Sequence, residues 1–136
     1  MIVVDTNIIA HATFKTAYTS NVLKVHQKDP MWVAPILWKS EFLNVVSLHL
    51  RKNLINLEQA FEAYETASNF IGSNDQLVSP YDVIERINNA SCSSYDCEFV
   101  ELAERMNTSL ITYDKKILSE FPSIAMKPED YLAQAL

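Results

Sequence analysis

A chain of 136 residues fits one domain, expected to run over 1–136, and it can bury roughly two-thirds of the surface its unfolded form exposes, so folding needs no disulfide or metal staple. With 49% hydrophobic and 21% charged residues, no apolar run near the ~20 residues of a membrane span and no basic, cleavable leader, it reads as a soluble globular protein, expected in the cytoplasm, with no membrane partner. The net charge of −6 argues against nucleic acid unless several acids share one cleft that cations fill, and the single glycine, Gly72, excludes a Gly-rich phosphate loop and a dinucleotide fingerprint.

The chain opens on Met1-Ile2-Val3-Val4-Asp5-Thr6-Asn7. A short unbroken apolar run reads as a central strand of a parallel sheet, covered on both faces. Asp5 then falls at its carboxyl end, the edge at which open α/β sheets bind ligands. The stretch from Ile8 to Tyr18 is ambiguous. Thr19 or Ser20 could cap a helix to about Gln27, ended before Asp29-Pro30.

Met31 to Ala34 reads as a second strand, and Pro35 suits the first turn of a long helix to about Lys52, with Asn53 as its stop. Leu37, Trp38, Phe42, Val45, Val46 and Leu48 form its broad apolar face. A further amphipathic helix carries Leu57, Ala60, Phe61, Tyr64, Ala67 and Ile71 at helical spacing and closes near Gly72. Glu58, Glu62 and Glu65 lie on its solvated side.

Gln76 to Val78 is a weak third strand. Ser79-Pro80-Tyr81-Asp82 and Ser93-Ser94-Tyr95-Asp96 both read as capping boxes, opening helices to about Asn89 and to a left-handed end at Asn107. Ser109 to Thr112 is a fourth strand, Asp114 begins a short helix stopped before Pro122, and Ile124 to Met126 is a fifth strand before Pro128 and a last helix to the chain end. Strands alternating with helices give an α/β class: a three-layer α/β/α fold with a mainly parallel sheet of about five strands.

Four acids resist a purely structural reading. Glu41 stands in the apolar stripe of its helix, where an unpaired carboxylate is costly unless a cation or open cleft is near; bonding to Lys39 or a backbone amide is the structural alternative. Asp96 is explained by its capping box, yet it also lines up with Phe99, Val100 and Ala103 on the side facing the sheet. Asp114 follows strand four at the same edge as Asp5, with an N-cap as its alternative. Together the four could ring one pocket of oxygen donors, the hard type that suits Mg²⁺ or Mn²⁺.

Cys92 and Cys97 are expected as two buried, reduced thiols, because neither they nor His11, His26 and His49 show paired metal-ligand spacing. The three histidines read as surface or core. Trp32 and Trp38 read as core, with base stacking as the alternative.

The stretches Ile2-Val3-Val4-Asp5-Thr6-Asn7, Trp38-Lys39-Ser40-Glu41-Phe42-Leu43-Asn44, Tyr95-Asp96-Cys97-Glu98-Phe99-Val100-Glu101-Leu102-Ala103, Leu110-Ile111-Thr112-Tyr113-Asp114 and Met126-Lys127-Pro128-Glu129-Asp130-Tyr131-Leu132 stand in an order and spacing that resembles PIN domain ribonucleases. The likeness is greatest to the VapC-type toxins of prokaryotic toxin–antitoxin pairs. It departs at Cys97 and Glu98, where small or apolar residues are frequent, a difference expected to bear on packing more than on chemistry. The resemblance implies a PIN-like fold and a metal-dependent endoribonuclease using one or two Mg²⁺ or Mn²⁺ ions and leaving 5′-phosphate and 3′-hydroxyl ends. Asp5, Glu41, Asp96 and Asp114 match the family's acidic ligands, and Asn7 and Thr112 match polar positions that support them.

Lys15, Lys39, Lys115 and Lys116 are expected at the rim, on RNA phosphates. The resemblance also implies RNA as substrate, an antitoxin whose basic segment enters the acidic cleft, and a homodimer. Three alternatives stay open. They are an RNA-processing PIN nuclease that is not a toxin, a PIN-like interaction module without cleavage, and a phosphatase using Asp5 as nucleophile, which Asn7 disfavours because a second Asp is usual there.

Overall fold

The computed structural model describes residues 1–135. Five parallel strands form one sheet in the order β3-β2-β1-β4-β5: β1 (Ile2–Val4), β2 (Trp32–Pro35), β3 (Asp75–Gln76), β4 (Leu110–Ile111) and β5 (Ala125–Met126). β1 sits in the middle, its Val3 in register with Val33 of β2 on one side and Leu110 of β4 on the other. Every residue of β1 is buried, which is why the run carries no polar alternation.

The helices are α1 (Thr6–Thr13), α2 (Thr19–Lys28), α3 (Trp38–Arg51), α4 (Leu57–Ile71), α5 (Pro80–Asn88), α6 (Ser94–Arg105), α7 (Lys115–Glu120) and α8 (Pro128–Ala133). α6 lies across β1, β2 and β4 with α5 packed on it, while α1, α3 and α4 pack on one another, giving the expected three layers. Connections leave β1 toward β2 in one direction and reach β4 in the other. The carboxyl ends of β1 and β4 therefore flank the switch point where such sheets open a crevice.

Several local expectations are revised. The ambiguous stretch after β1 is α1, capped by Asp5 itself. Tyr18, not Thr19 or Ser20, precedes α2 and makes no side-chain cap bond; the Thr19 hydroxyl instead donates to the His11 carbonyl at 2.7 Å. Pro35 ends β2 rather than opening α3, at a point where the next ladder bond comes from the Ile36 amide to the Gln76 carbonyl, so its missing N–H leaves no gap. Ser79 makes no side-chain cap bond, so only the Pro80 half of that signal holds. Asn53 and Asn107 do take left-handed backbones, with φ of 56° and 52°, and α8 ends at Ala133, short of the chain end.

The broad apolar faces are only partly core. On α4 the buried residues are Ala60, Ala63, Ala67 and Ile71, whereas Leu57 and Phe61 are each 62% exposed. Small alanines bring α4 close to its neighbours and leave the large side chains flanking the contact. Trp32 and Trp38 are both buried, stacked on Phe70 and Tyr64 respectively, as expected for core residues. Cys92 and Cys97 are buried and unlinked.

Candidate active site at the carboxyl ends of the strands

Asp5 leaves β1 as the N-cap of α1, and it is the most buried acid of the cleft. Its Oδ1 accepts from the Thr6 amide at 2.7 Å, and its Oδ2 accepts from the Thr112 hydroxyl at 2.7 Å and from Asn7 Nδ2 at 3.4 Å. Thr112 Oγ1 in turn accepts from the Asp114 amide at 3.0 Å and from Asn7 Nδ2 at 3.3 Å, while Asn7 Oδ1 accepts from the Tyr113 amide at 3.3 Å. One buried hydroxyl thus ties the end of β1 to the end of β4. Asn7 and Thr112 orient Asp5 directly.

Glu41 lies on the first turn of α3, half-buried, with Oε1 accepting from the Thr6 hydroxyl at 2.8 Å. The structural alternative, a bond to Lys39 or to a backbone amide, is not what the fold makes: Lys39 pairs instead with Asp75 at 3.1 Å. Asp114 caps α7 with Oδ1, which accepts from the Ile117 amide at 2.9 Å, so its capping alternative is real. It lines the cleft as well.

Asp96 stands on the first turn of α6, where the Ser93 hydroxyl accepts from the Asp96 amide at 3.1 Å. The reciprocal bond, from the Ser93 amide to the Asp96 carboxylate, is not formed. The cap is therefore one-sided, and the carboxylate also lines the cleft. Cys92 and Cys97, one residue before the cap and four after it, are both buried and complete the start of the helix as an apolar staple.

All four acids line one cleft of about 660 Å³, together with Thr6, Asn7, Leu37, Ser40, Asn44, Val45 and Tyr95. Burial pushes the Asp5 carboxyl up to about 7, against the hydrogen bonds from Thr112 and Thr6, and Glu41 and Asp96 push in the same direction. Glu41 is raised by burial and by Asp96 and Glu98, against the Thr6 hydroxyl. Asp96 is raised by burial and by Asp114, against the Ser93 hydroxyl and Lys116. Gathering so many carboxylates out of water is unfavourable unless positive charge joins them.

Among the described residues no three acidic, histidine or cysteine side chains are drawn into a ready metal cage. Each of Asp5, Glu41 and Asp114 is held apart by its own hydrogen bond. The donor set nevertheless fits a hard divalent cation: it is all oxygen, its Asp5, Glu41 and Asp96 carboxyls are pushed toward protonation, and it is open enough for water to complete a coordination sphere.

One contributor escaped the sequence reading, and a second, Glu98, was expected to matter for packing more than chemistry. Thr6, next to Asp5, joins both Asp5 and Glu41; the Asp-Thr-Asn run was its only signal. Glu98, two residues after Asp96, is itself raised by burial and acts on Glu41, so its departure from the family pattern bears on the charge of the cleft.

Lys15, Lys39, Lys115 and Lys116 are exposed and outside the cleft lining, although Lys116 is near enough to lower Asp96. The histidines are packing residues: His11 against Tyr18 and Tyr113, His26 against Trp32 and Phe70, and His49 stacked on Phe14.

A family model described as "PIN domain" matches residues 2–123. Among solved structures, the crystal structure of PAE2754 from Pyrobaculum aerophilum is similar, with a TM-score of 0.68 and 20% identity over 96% of this chain and 92% of that one. That likeness speaks to the fold. No curated protein matches the chain.

Proposed function

The chain belongs to the PIN domain family, whose members are generally nucleases, and from that membership we propose that it is a divalent-metal-dependent endoribonuclease, the toxin of a VapBC-type toxin–antitoxin pair. The observation that carries the reading is the opening of Asp5, Glu41, Asp96 and Asp114, from four separate elements, onto one cleft at the sheet's carboxyl end. Asp5, Glu41, Asp96 and Asp114 would hold one or two Mg²⁺ or Mn²⁺ ions, which would supply a Lewis acid for activating a water and offsetting charge on the phosphodiester.

The chain's own part is positioning. Asp5 is fixed at both oxygens by Thr6, Asn7 and Thr112, and Glu41 is aimed by the Thr6 hydroxyl. The buried Thr112 hydroxyl sets the spacing of Asp114 from Asp5. None of the histidines lines the cleft, which disfavours attack by the RNA 2′-hydroxyl with a histidine acid–base pair.

Replacing Asp5 or Asp96 with Asn is expected to lower cleavage of single-stranded RNA, assayed with Mg²⁺ or Mn²⁺, by at least about a hundredfold. Unchanged cleavage removes the assignment. Growth arrest on expression, relieved by the same replacements and by a co-expressed antitoxin carrying a basic segment, separates a toxin from an RNA-processing enzyme.

A further inference from the structure

Tyr95 directly precedes Asp96 on α6, and the residue is 58% exposed. It is not among the residues packed on the core, and no other aromatic ring meets it among the described residues. Packing therefore does not account for it. It does line the cleft, facing the same space as Leu37, which immediately precedes α3, and Val45, one turn after Glu41 on α3.

The lining of the cleft is consequently of two chemical kinds. Beside the four carboxylates it carries one aromatic and two aliphatic side chains, together with Ser40 and Asn44. Cation binding makes no use of the apolar side chains, and a phosphate gains nothing from them. A flat, apolar-faced group with hydrogen-bonding edges, attached to a phosphate, uses both kinds at once.

We infer that Tyr95, Leu37 and Val45 form a nucleobase-stacking subsite for a nucleotide next to the scissile phosphate, with Ser40 and Asn44 presented to the edge of the base. The inference rests on the nuclease reading of the cleft and adds to it a reason for choosing unpaired RNA. In an A-form duplex each base face is covered by its neighbours, so only a splayed, single-stranded nucleotide can lay its face on Tyr95. Stacking of this kind is tolerant of sequence, because every base has a π-face.

The test uses a fluorescein-labelled single-stranded oligoribonucleotide with Mn²⁺, and compares the wild type with Tyr95→Ala and Tyr95→Phe. Tyr95→Ala is expected to raise KM about thirtyfold, the middle of the range for loss of one base–aromatic stack, with kcat within about threefold of wild type. Tyr95→Phe is expected to keep the wild-type KM. On a substrate abasic on both sides of the cut position, wild type and Tyr95→Ala are expected to share one KM.

An unchanged KM in Tyr95→Ala, or equal damage from Tyr95→Phe, overturns the subsite while leaving the nuclease reading in place. Absence of cleavage by the wild type overturns both. Because the ring is exposed and unpacked, Tyr95→Ala should retain the wild-type melting temperature, which keeps a folding defect from imitating the result.

Discussion

A carboxylate at position 5 loses almost all its water, and that loss outweighs the hydrogen bonds that favour its charge. Its folded value of about 7 lies above the ordinary 3.8, so its contribution to stability is fully present below the unfolded value and is lost as pH rises through about 7. In EDTA-treated protein, urea denaturation should therefore show stability falling between pH 4 and pH 7.5, by about 4 kcal/mol from this group. Asp5→Asn should flatten much of that fall, leaving the same-direction effects of Glu41 and Asp96. Thr112 offers the complementary case. Thr112→Val should cost about 1–3 kcal/mol by stranding a buried acceptor and should lower cleavage about ten- to a hundredfold, with Thr112→Ser restoring both, as read by denaturation and RNA cleavage. Asp5 and Glu41 stood out as candidates because each breaks a local pattern, one a charge ending an apolar strand and the other a charge inside an apolar stripe, whereas Asp96 and Asp114 also fit ordinary helix caps. Thr6 was not legible, because a threonine after an aspartate at a helix start has an ordinary local explanation.

Two helix caps separate local stability from site geometry. Asn56 and Gln59 form a reciprocal capping box at α4, away from the cleft, whereas Ser93 caps the helix whose first turn carries Asp96. Alanine at either position should cost about 1 kcal/mol in urea denaturation, but only Ser93→Ala should also reduce RNA cleavage. Most elements were readable from the chain because helical spacing, Gly72 and the left-handed asparagines marked their ends. What misled was chemistry whose meaning depends on a neighbour. Pro35 suits a helix start as well as a strand end, and the pairing of Ile36 with Gln76 decides between them. Ser79 and Ser93 open nearly identical motifs, yet only Ser93 turns its hydroxyl to the helix. Leu57 and Phe61 follow the helical period, but the contact across α4 is filled by alanines, so the outermost large residues remain in water.

At the scale of the whole molecule, a net charge of −6 that looked hostile to RNA is partly concentrated where it can be offset. Cation binding must displace the proton held by Asp5, so the rise in melting temperature on adding Mn²⁺ should be larger at pH 8 than at pH 5, and Asp5→Asn should abolish most of that difference. Differential scanning fluorimetry at the two pH values reads this without any turnover. The overall layering was legible from the alternation of strands and helices, while the sheet order required the pairings, since no residue in β4 announces that it lies beside β1 rather than β2.

The outermost strands, β3 and β5, are two residues long. A foreign segment seeking to extend the ladder would find too few consecutive backbone groups to hold, which is how many proteins discourage fibrillar stacking. Strand addition is accordingly a poor route to association, which favours contacts through side chains on helices and loops. Such contacts can be tuned one residue at a time without disturbing the backbone pairing in the middle of the sheet.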